Sequence, residues 1–310
     1  MKKVGMLVLL ASLIGWGAVG CDALTNKTMG VGILTQMPDI TDAGLIDQRL
    51  LSALGELPVE QAVVATVFVG ERSSITEVVE PPTPVTGATI ELQWAGKGVM
   101  IKEMGEGSYM AINGGIAGDS STDFFTPGLE YAAGAPYSFM IDITGDTFQL
   151  PVTAPAAIET SKVSFSPALG TENITIPTQD PLTFATHPKS TDLTLAWESA
   201  DPNKPQQAFV TIARIEYNGA SDMSDALNAS AWSASSNNPV YDNFPRDAEG
   251  FLSRVLDTPA TQATVEGSVF TPGLYIVMLT VVELNTDNNM ALGSAGIGGV
   301  ATPFVFLVMP

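Results

Sequence analysis

Short apolar segments rich in β-branched residues recur along this 310-residue chain, and turn residues separate them about every ten positions. The segment "AVVATVFVG" (62–70) ends in a glycine, and its composition predicts a buried strand. Between "YSFMIDI" and "TFQLPV", the residues Thr144-Gly145-Asp146 predict a tight hairpin, because glycine readily adopts positive φ. This spacing of strands and turns is typical of an all-β sandwich protein.

The predicted strands fall into two series, and residues 151–162 ("PVTAPAAIETSK") lie between them. We therefore expect an all-β fold of two immunoglobulin-like β-sandwich domains in tandem, over 61–157 and 158–310. The second series contains a long insertion over 218–261, rich in Ser, Asn and Asp, with a short helix predicted near 247–257. Long loops on a β scaffold commonly carry binding sites. The second series comprises "PLTF", "LTLAW", "FVTIARIEY", "ATVEG", "LYIVMLTVVE" and "PFVFLV".

Residues 21–60 precede the first series and are predicted to form a tether and a short helix. Residues 22–41 show no hydrophobic period and contain Gly, Thr, Asn and Pro, which is typical of a flexible tether. Asp42 is a predicted N-cap for a helix that extends to about Glu56. The four-residue spacing of apolar side chains on one face supports this helix: Ile46, Leu50 and Leu54.

The first twenty residues have the pattern of a secretory signal peptide. Lys2 and Lys3 precede an uncharged run that extends to Gly20, and the only cysteine of the chain, Cys21, follows. The strongly apolar part, residues 6–14, is shorter than the roughly 20 residues of a transmembrane helix. Residues 1–20 are therefore predicted to be a cleaved signal peptide.

Ala18-Val19-Gly20-Cys21 resembles the lipobox of bacterial lipoproteins, with Ala18 where leucine is commonest. The resemblance implies that Cys21 carries fatty acyl groups such as palmitate and becomes the first residue of the mature chain. It also implies that the chain is bound to a membrane of the bacterial cell envelope. Stable anchoring needs more than one acyl chain. Asp22 follows the cysteine, and the choice between inner and outer membrane stays open.

Without residues 1–20 the chain has 11 basic and 33 acidic residues, a formal charge of −22. A surface this acidic repels nucleic acid and anionic lipid headgroups, so nucleic acid is not expected as a partner. A single cysteine excludes a disulfide framework and a cysteine-based metal site. A single histidine excludes zinc catalysis with two or three histidine ligands.

No catalytic motif is complete in the sequence. A Ser-His-Asp triad would need His187 as its base, but Pro188 follows it and no Gly-x-Ser-x-Gly motif occurs. His187 is therefore expected to be an ordinary surface or loop residue. The segment "GIGGVA" (296–301) fits a loose dinucleotide-binding pattern, but Pro303 follows where a helix would be required, so a loop is predicted.

Two polar segments could bind calcium through oxygen ligands. "YDNFPRDAEG" (241–250) contains four such side chains, Asp242, Asn243, Asp247 and Glu249, although a solvated turn is the preferred interpretation. "NTDNNM" (285–290) lacks the glycine and the glutamate of an EF-hand loop. Calcium stays an alternative, and no other cofactor is expected.

Three tryptophans follow the predicted signal peptide. Trp94 and Trp197 lie in predicted strands and are expected in the cores, whereas Trp232 lies in the polar segment "NASAWSASSN". Trp232 is therefore the predicted contact residue for an envelope protein or a glycan.

The segments "TDLTLAWESADPNKPQQAFVTI" and "FTPGLYIVMLTVV" resemble fibronectin type III and related immunoglobulin-like domains. The resemblance implies a buried core position for Trp197 and a tyrosine-corner position for Tyr275. In the first series, "PVTGATIEL" and "GSYMA" are similar to strands of transthyretin-like sandwiches. Both resemblances imply a sandwich fold and neither implies an activity.

These observations favour a membrane-anchored, non-catalytic binding or structural module. A carboxylate-dependent envelope hydrolase and an accessory subunit of an envelope complex are the alternatives. The fold does not separate them, because β-sandwiches have many functions.

Overall fold

The computed structural model describes residues 27–38, 61–72, 82–114, 123–174, 182–199, 206–217, 232–233, 239–245, 253–255, 257–291 and 293–309. The all-β prediction is confirmed, since strands make up nearly all the regular structure in these ranges. The strands of the first half are β1 (Thr28–Met37), β2 (Ala62–Glu71), β3 (Thr83–Pro84), β4 (Thr89–Trp94), β5 (Lys97–Gly105), β6 (Ser108–Gly114), β7 (Pro136–Ile143) and β8 (Asp146–Thr153). Those of the second half are β9 (Val163–Ser166), β10 (Gly170–Ile174), β11 (Leu182–Thr186), β12 (Leu193–Trp197), β13 (Gln207–Tyr217), β14 (Trp232–Ser233), β15 (Tyr241–Asp242), β16 (Gln262–Val265), β17 (Gly273–Asn285) and β18 (Ala295–Val308).

The first sandwich is a sheet that folds over on itself. Its strands are hydrogen-bonded in the order β1-β2-β6-β5-β4-β7-β8, and β5 pairs with both β4 and β6. Residues 97–101 of β5 pair with β4 and residues 102–105 pair with β6, so β5 passes from one layer to the other after Ile101. The core between the layers contains large buried side chains, including Trp94, Tyr109, Phe139 and Leu150.

The second sandwich has a three-stranded sheet, β9-β12-β16, and a second sheet that contains β13, β17 and β18. Trp197, Tyr275 and Phe306 are buried in its core. This strand arrangement, with a buried tryptophan in one sheet and a tyrosine near the start of β17, is that of an immunoglobulin-like domain. The β10–β11 hairpin joins the second sheet where Thr186 pairs with Leu307.

The strand β18 belongs to both sandwiches. All fourteen of its residues are buried, and it pairs antiparallel with β17 over most of its length. Residues 295–300 also pair in parallel with β1. One continuous sheet therefore extends through both sandwiches.

Two predictions about these strands were wrong. Residues 28–37, expected to be part of a tether, form β1 in the interior of the sheet, between β2 and β18. The segment 296–301, expected to be a loop, lies inside β18. In both segments the glycines allow close packing between layers and do not mark irregular structure.

The packing requirement is severe at three of these glycines. A Cβ atom at Gly296 or Gly298 would overlap the carbonyl oxygens of Pro151 and Thr153 in β8. A Cβ atom at Gly32 would overlap the ring of Phe139. The glycines of β1 and β18 therefore let β7 and β8 lie directly on the central sheet.

The two hydrophobic cores divide the chain near the predicted boundary. The first draws on residues up to Ala154, together with Met290 from the β17–β18 turn, and the second begins with Ile158. The boundary at 157/158 remains a prediction. The predicted helix over 42–56 lies outside the described residues.

Candidate functional site

His187, expected to be an ordinary surface or loop residue, lies in the loop directly after β11 and is only 2% exposed. Its backbone N–H donates to the carbonyl of Leu307, and its ring packs edge-on against Phe270 with 4.5 Å between the ring centroids. Nε2 lies 2.8 Å from the carbonyl oxygen of Thr191 and must carry the proton, because a carbonyl only accepts. Nδ1 has no hydrogen-bond partner among the described residues. The burial of His187 follows from the pairing of β11 with β18, and its sequence context gives no sign of it.

Tyr275 occupies the tyrosine-corner position that the resemblance implies. Its hydroxyl accepts from the N–H of Thr271 at 2.9 Å and lies 2.8 Å and 3.0 Å from the carbonyl oxygens of Thr271 and Val269. The ring stacks on Phe306 at 5.4 Å. Tyr275 thus fixes the chain that leads into β17.

A second tyrosine, which was not among the predicted residues, makes similar contacts in the first sandwich. The Tyr137 hydroxyl accepts from the N–H of Ala132 at 2.7 Å and donates to the carbonyl of Glu130 at 2.9 Å. Its ring stacks on Trp94 at 5.3 Å. The tyrosine directly before an apolar strand, in "GAPYSF", is the signal that could have revealed it.

Burial raises the pKa of several tyrosine hydroxyls above the ordinary value. The effect is large at Tyr131, whose hydroxyl donates to the carbonyl of Pro155 at 2.8 Å. Burial also raises the pKa of Tyr109 and of Tyr137, although a backbone N–H bonded to each hydroxyl acts in the opposite direction. These hydroxyls are structural groups that join loops to the first sandwich.

The predicted insertion over 218–261 contributes two short strands to the outer edge of β13. β14 pairs with β13 at Glu216 and Tyr217, and β15 pairs with it at Thr211 and Ile212. An uncovered edge strand presents unpaired backbone groups to other chains. The insertion therefore covers part of this edge, and Trp232, the predicted contact residue, lies in β14 as the partner of Tyr217.

Two side chains considered as calcium ligands bind the insertion to the sheet instead. Asn243 Oδ1 accepts from the N–H of Val210 at 2.6 Å. Asp242 Oδ1 accepts from the Thr211 hydroxyl at 3.2 Å and from the N–H of Phe244 at 2.9 Å. Asp247 and Glu249 lie outside the described residues.

The insertion also covers the outer face of the central sheet. Phe244 packs on Phe209 with 4.8 Å between ring centroids, and Val255 joins the same cluster. The buried Gln207 side chain accepts from the N–H of Ala260 at 3.1 Å and donates to the carbonyl of Arg254. The described part of the insertion is thus integrated with the sheet.

The described residues between β17 and β18, 286–291 and 293–294, use their polar side chains in hydrogen bonds within the turn and to β8. Asn288 Oδ1 accepts from the N–H of Met290 at 3.0 Å, and its Nδ2 donates to the carbonyl of Ser294 at 3.0 Å. Asn289 Oδ1 accepts from the N–H of Gln149 in β8 at 2.8 Å. In the described residues, no group of three or more His, Cys, Asp or Glu side chains could hold a metal ion.

Arg72 is a buried cation at the end of β2, 7% exposed. Its Nη2 lies 3.5 Å from the sulfur of Met29, and its Nε has no partner among the described residues. Burial lowers the pKa of this guanidinium. No carboxylate of the described residues is buried.

Cys21, the predicted acylation site, lies outside the described residues. Within the described ranges, no helix is long and apolar enough to cross a membrane.

Comparison with known proteins gives structural neighbours only. No family profile and no curated protein matches the chain. A crystal structure of the chicken CNTN1 FN1-FN3 domains matches at 7% sequence identity and a TM-score of 0.25 over 80% of this chain. That match spans 63% of the CNTN1 chain, less than two thirds of its length. A crystal structure of "domains A168-A170 from titin" matches at 10% identity and a TM-score of 0.16, over 79% of this chain and 93% of that one.

Proposed function

We propose that the chain is a lipoprotein of the bacterial cell envelope, anchored through acylated Cys21, and that its two β-sandwiches act as a non-catalytic binding or structural module. The signal-peptide pattern and the lipobox-like Ala18-Val19-Gly20-Cys21 support the anchor. The single observation that carries the proposal is that this pattern is followed, seven residues after Cys21, by a strand in the interior of the sheet.

The position of β1 is well suited to an anchored protein. β1 is hydrogen-bonded to β2 on one side and to β18 on the other, so a pull on the N-terminus acts on a strand held along both edges. A fully extended chain from Cys21 to Thr28 spans at most about 25 Å. The first sandwich would therefore stay close to the membrane surface.

The polar groups of the insertion favour a structural or binding role over hydrolysis. Asp242 and Asn243 are occupied with hydrogen bonds that fix the loop to β13. A carboxylate-dependent hydrolase needs a general acid whose pKa is raised, usually by burial. The described Asp and Glu side chains are exposed or half-buried.

Membrane fractionation of cells tests the anchor. The unsubstituted chain is expected in the membrane fraction, and Cys21→Ala is expected to lose this association. Thr25→Ala, four residues further along and outside the lipobox-like segment, is the matched control and should stay with the membrane. Retention of Cys21→Ala in the membrane would contradict the anchor.

Gentle solubilisation and co-purification followed by mass spectrometry test the role of the sandwiches. A stoichiometric protein partner that is lost on Trp232→Ala, but kept on Trp94→Phe, would assign the insertion as the contact. This result would make the chain an accessory subunit. Glycan hydrolysis that disappears on a single Asp or Glu substitution would replace the module proposal with the hydrolase alternative.

A further inference from the structure

We propose that one end of the first sandwich faces the phospholipid headgroups, and that the second sandwich stands away from the bilayer. This surface, called here the proximal end, comprises residues 82–87, the turns at 106–107 and 144–145, and residues 286–291 and 293–294 between β17 and β18. The inference rests on the proposed acylation of Cys21 and adds an orientation to it.

The strand directions define the proximal end. β1 starts there at Thr28, whose carbonyl accepts from the N–H of Ala291 at 2.7 Å. β2 ends there, with Glu71 opposite Thr28, and Thr83 of β3 lies beside Glu71. The β17–β18 turn reaches the start of β8 through Asn289 and Gln149. All these segments lie at the end of the sheet that the N-terminal chain enters.

The second sandwich lies at the opposite end of the same strands. β18 runs from Ala295, opposite Val31 of β1, to Val308, opposite Gly273. At about 3.3 Å per residue, these thirteen steps cover about 43 Å. Ser268 precedes β17 at this distal end and is exposed. The reach of about 25 Å from Cys21 to Thr28 is well short of that distance, so the lipid holds only the proximal end directly.

Charge keeps the distal end away from an anionic bilayer. The mature chain carries a formal charge of −22, and its acidic residues are distributed along the whole sequence. Exposed carboxylates of the second sandwich include Glu159, Asp192 and Glu266. Because only one end is tied, repulsion from anionic headgroups turns the free end outward, and salt weakens this repulsion.

The single cysteine of the chain allows a direct test. When Cys21 is acylated, a cysteine introduced elsewhere is the only free thiol. Thr147→Cys at the start of β8 and Ser268→Cys at the distal end are both exposed and conservative, so they form a matched pair. Each purified lipoprotein is labelled with a thiol-reactive fluorophore and reconstituted into phosphatidylethanolamine–phosphatidylglycerol vesicles that carry nitroxide headgroups.

At low salt, the nitroxide headgroups are expected to quench the fluorophore at Thr147→Cys and not at Ser268→Cys. When salt is added, the emission at Ser268→Cys is expected to fall. Equal quenching at both positions at low salt, or stronger quenching at Ser268→Cys, would overturn the orientation. The unsubstituted chain separates this failure from failure of the anchor. If it takes up the thiol-reactive label, Cys21 is free and the acylation on which the orientation rests is wrong.

Discussion

At the scale of single residues, one tyrosine hydroxyl in each sandwich forms hydrogen bonds with the backbone just before a strand. Tyr137 bonds to backbone groups of Glu130 and Ala132 before β7, and Tyr275 bonds to those of Val269 and Thr271 before β17. Each aromatic ring lies in a core, and its hydroxyl forms hydrogen bonds with backbone N–H and carbonyl groups of the adjacent loop. A buried hydroxyl used in this way stabilises the fold through partners that would otherwise lose their hydrogen bonds.

Tyr275→Phe is expected to lower the free energy of unfolding by about 1–3 kcal/mol, because the Thr271 N–H loses its acceptor and the half-buried carbonyls of Val269 and Thr271 lose the hydroxyl proton that they share. Urea denaturation followed by tryptophan fluorescence measures the change. Tyr241→Phe is the control, since the Tyr241 hydroxyl makes no hydrogen bond within the described residues. Equal losses for both variants would contradict the role of Tyr275.

The tyrosines also predict sensitivity to alkali. Burial raises the pKa of Tyr109, Tyr131 and Tyr137 in the folded chain. In the unfolded chain each hydroxyl ionises near pH 10, so the unfolded state releases its protons first. The stabilising contribution is complete below pH 10 and is lost as the pH rises further, by up to about 1.4 kcal/mol per pH unit for each tyrosine. Urea titrations above pH 10 should show this fall, and Tyr131→Phe should make it shallower; an unchanged slope would contradict the assignment.

The burial of the His187 side chain is not predicted by the residues next to it in the sequence. The segment "THPK" is polar and contains a proline, so it indicates a loop. The burial of His187 depends on Phe270 and Phe306, which are distant in the sequence. Their rings contact the imidazole because β11 pairs with β18. Trp197 and Tyr275 were predicted correctly because their neighbouring residues resemble those of a known family.

At the scale of secondary-structure elements, β1 and β18 contain glycines that face β7 and β8 and allow these strands to pack closely. Local signals were sufficient for β2, β4 and the β7–β8 hairpin, whose composition and turn residues are contiguous. They were not sufficient for β1, because its pairing with β18 joins residues more than 260 positions apart, such as Val31 and Ala295. Its glycines are explained only by the layer packed against it.

Gly298→Ala is expected to destabilise the protein by about 1–3 kcal/mol or more, because its Cβ would overlap the carbonyl oxygen of Thr153, which is backbone and cannot rotate away. Gly299→Ala, the next residue on the opposite face, is the matched control. The nearest atom to its Cβ would be the Thr35 methyl group at 3.1 Å, a contact that a small shift relieves. Urea midpoints measure both changes, and a larger loss for Gly299→Ala would show that β18 does not face β8 as described.

At the scale of the whole molecule, β17, β18 and the turn between them contribute side chains to both hydrophobic cores. Met290, in the turn between β17 and β18, belongs to the first core, whereas Val277 and Phe306 of those strands belong to the second. Neither sandwich can lose β18 without exposing a buried strand of the other. The two sandwiches are therefore expected to unfold together.

Two tryptophans make this cooperativity measurable, since Trp94 lies in the first core and Trp197 in the second. In a Trp232→Phe background, Trp197→Phe leaves the first core as the fluorescent reporter, and Trp94→Phe leaves the second. Each pair is compared with circular dichroism of the same variant. Within each variant the two urea transitions should coincide, as expected for a single cooperative unit. A fluorescence transition separated from the circular dichroism transition would show independent domains.

We propose that the chain reaches the cell envelope as a lipoprotein whose mature form starts at Cys21. The most direct measurement is mass spectrometry of the intact chain and of its N-terminal peptide, purified from membranes. We expect a chain without residues 1–20 that starts at Cys21 and carries the mass of several fatty acyl groups. A chain that retains residues 1–20, or that starts at Cys21 without added acyl mass, would contradict it.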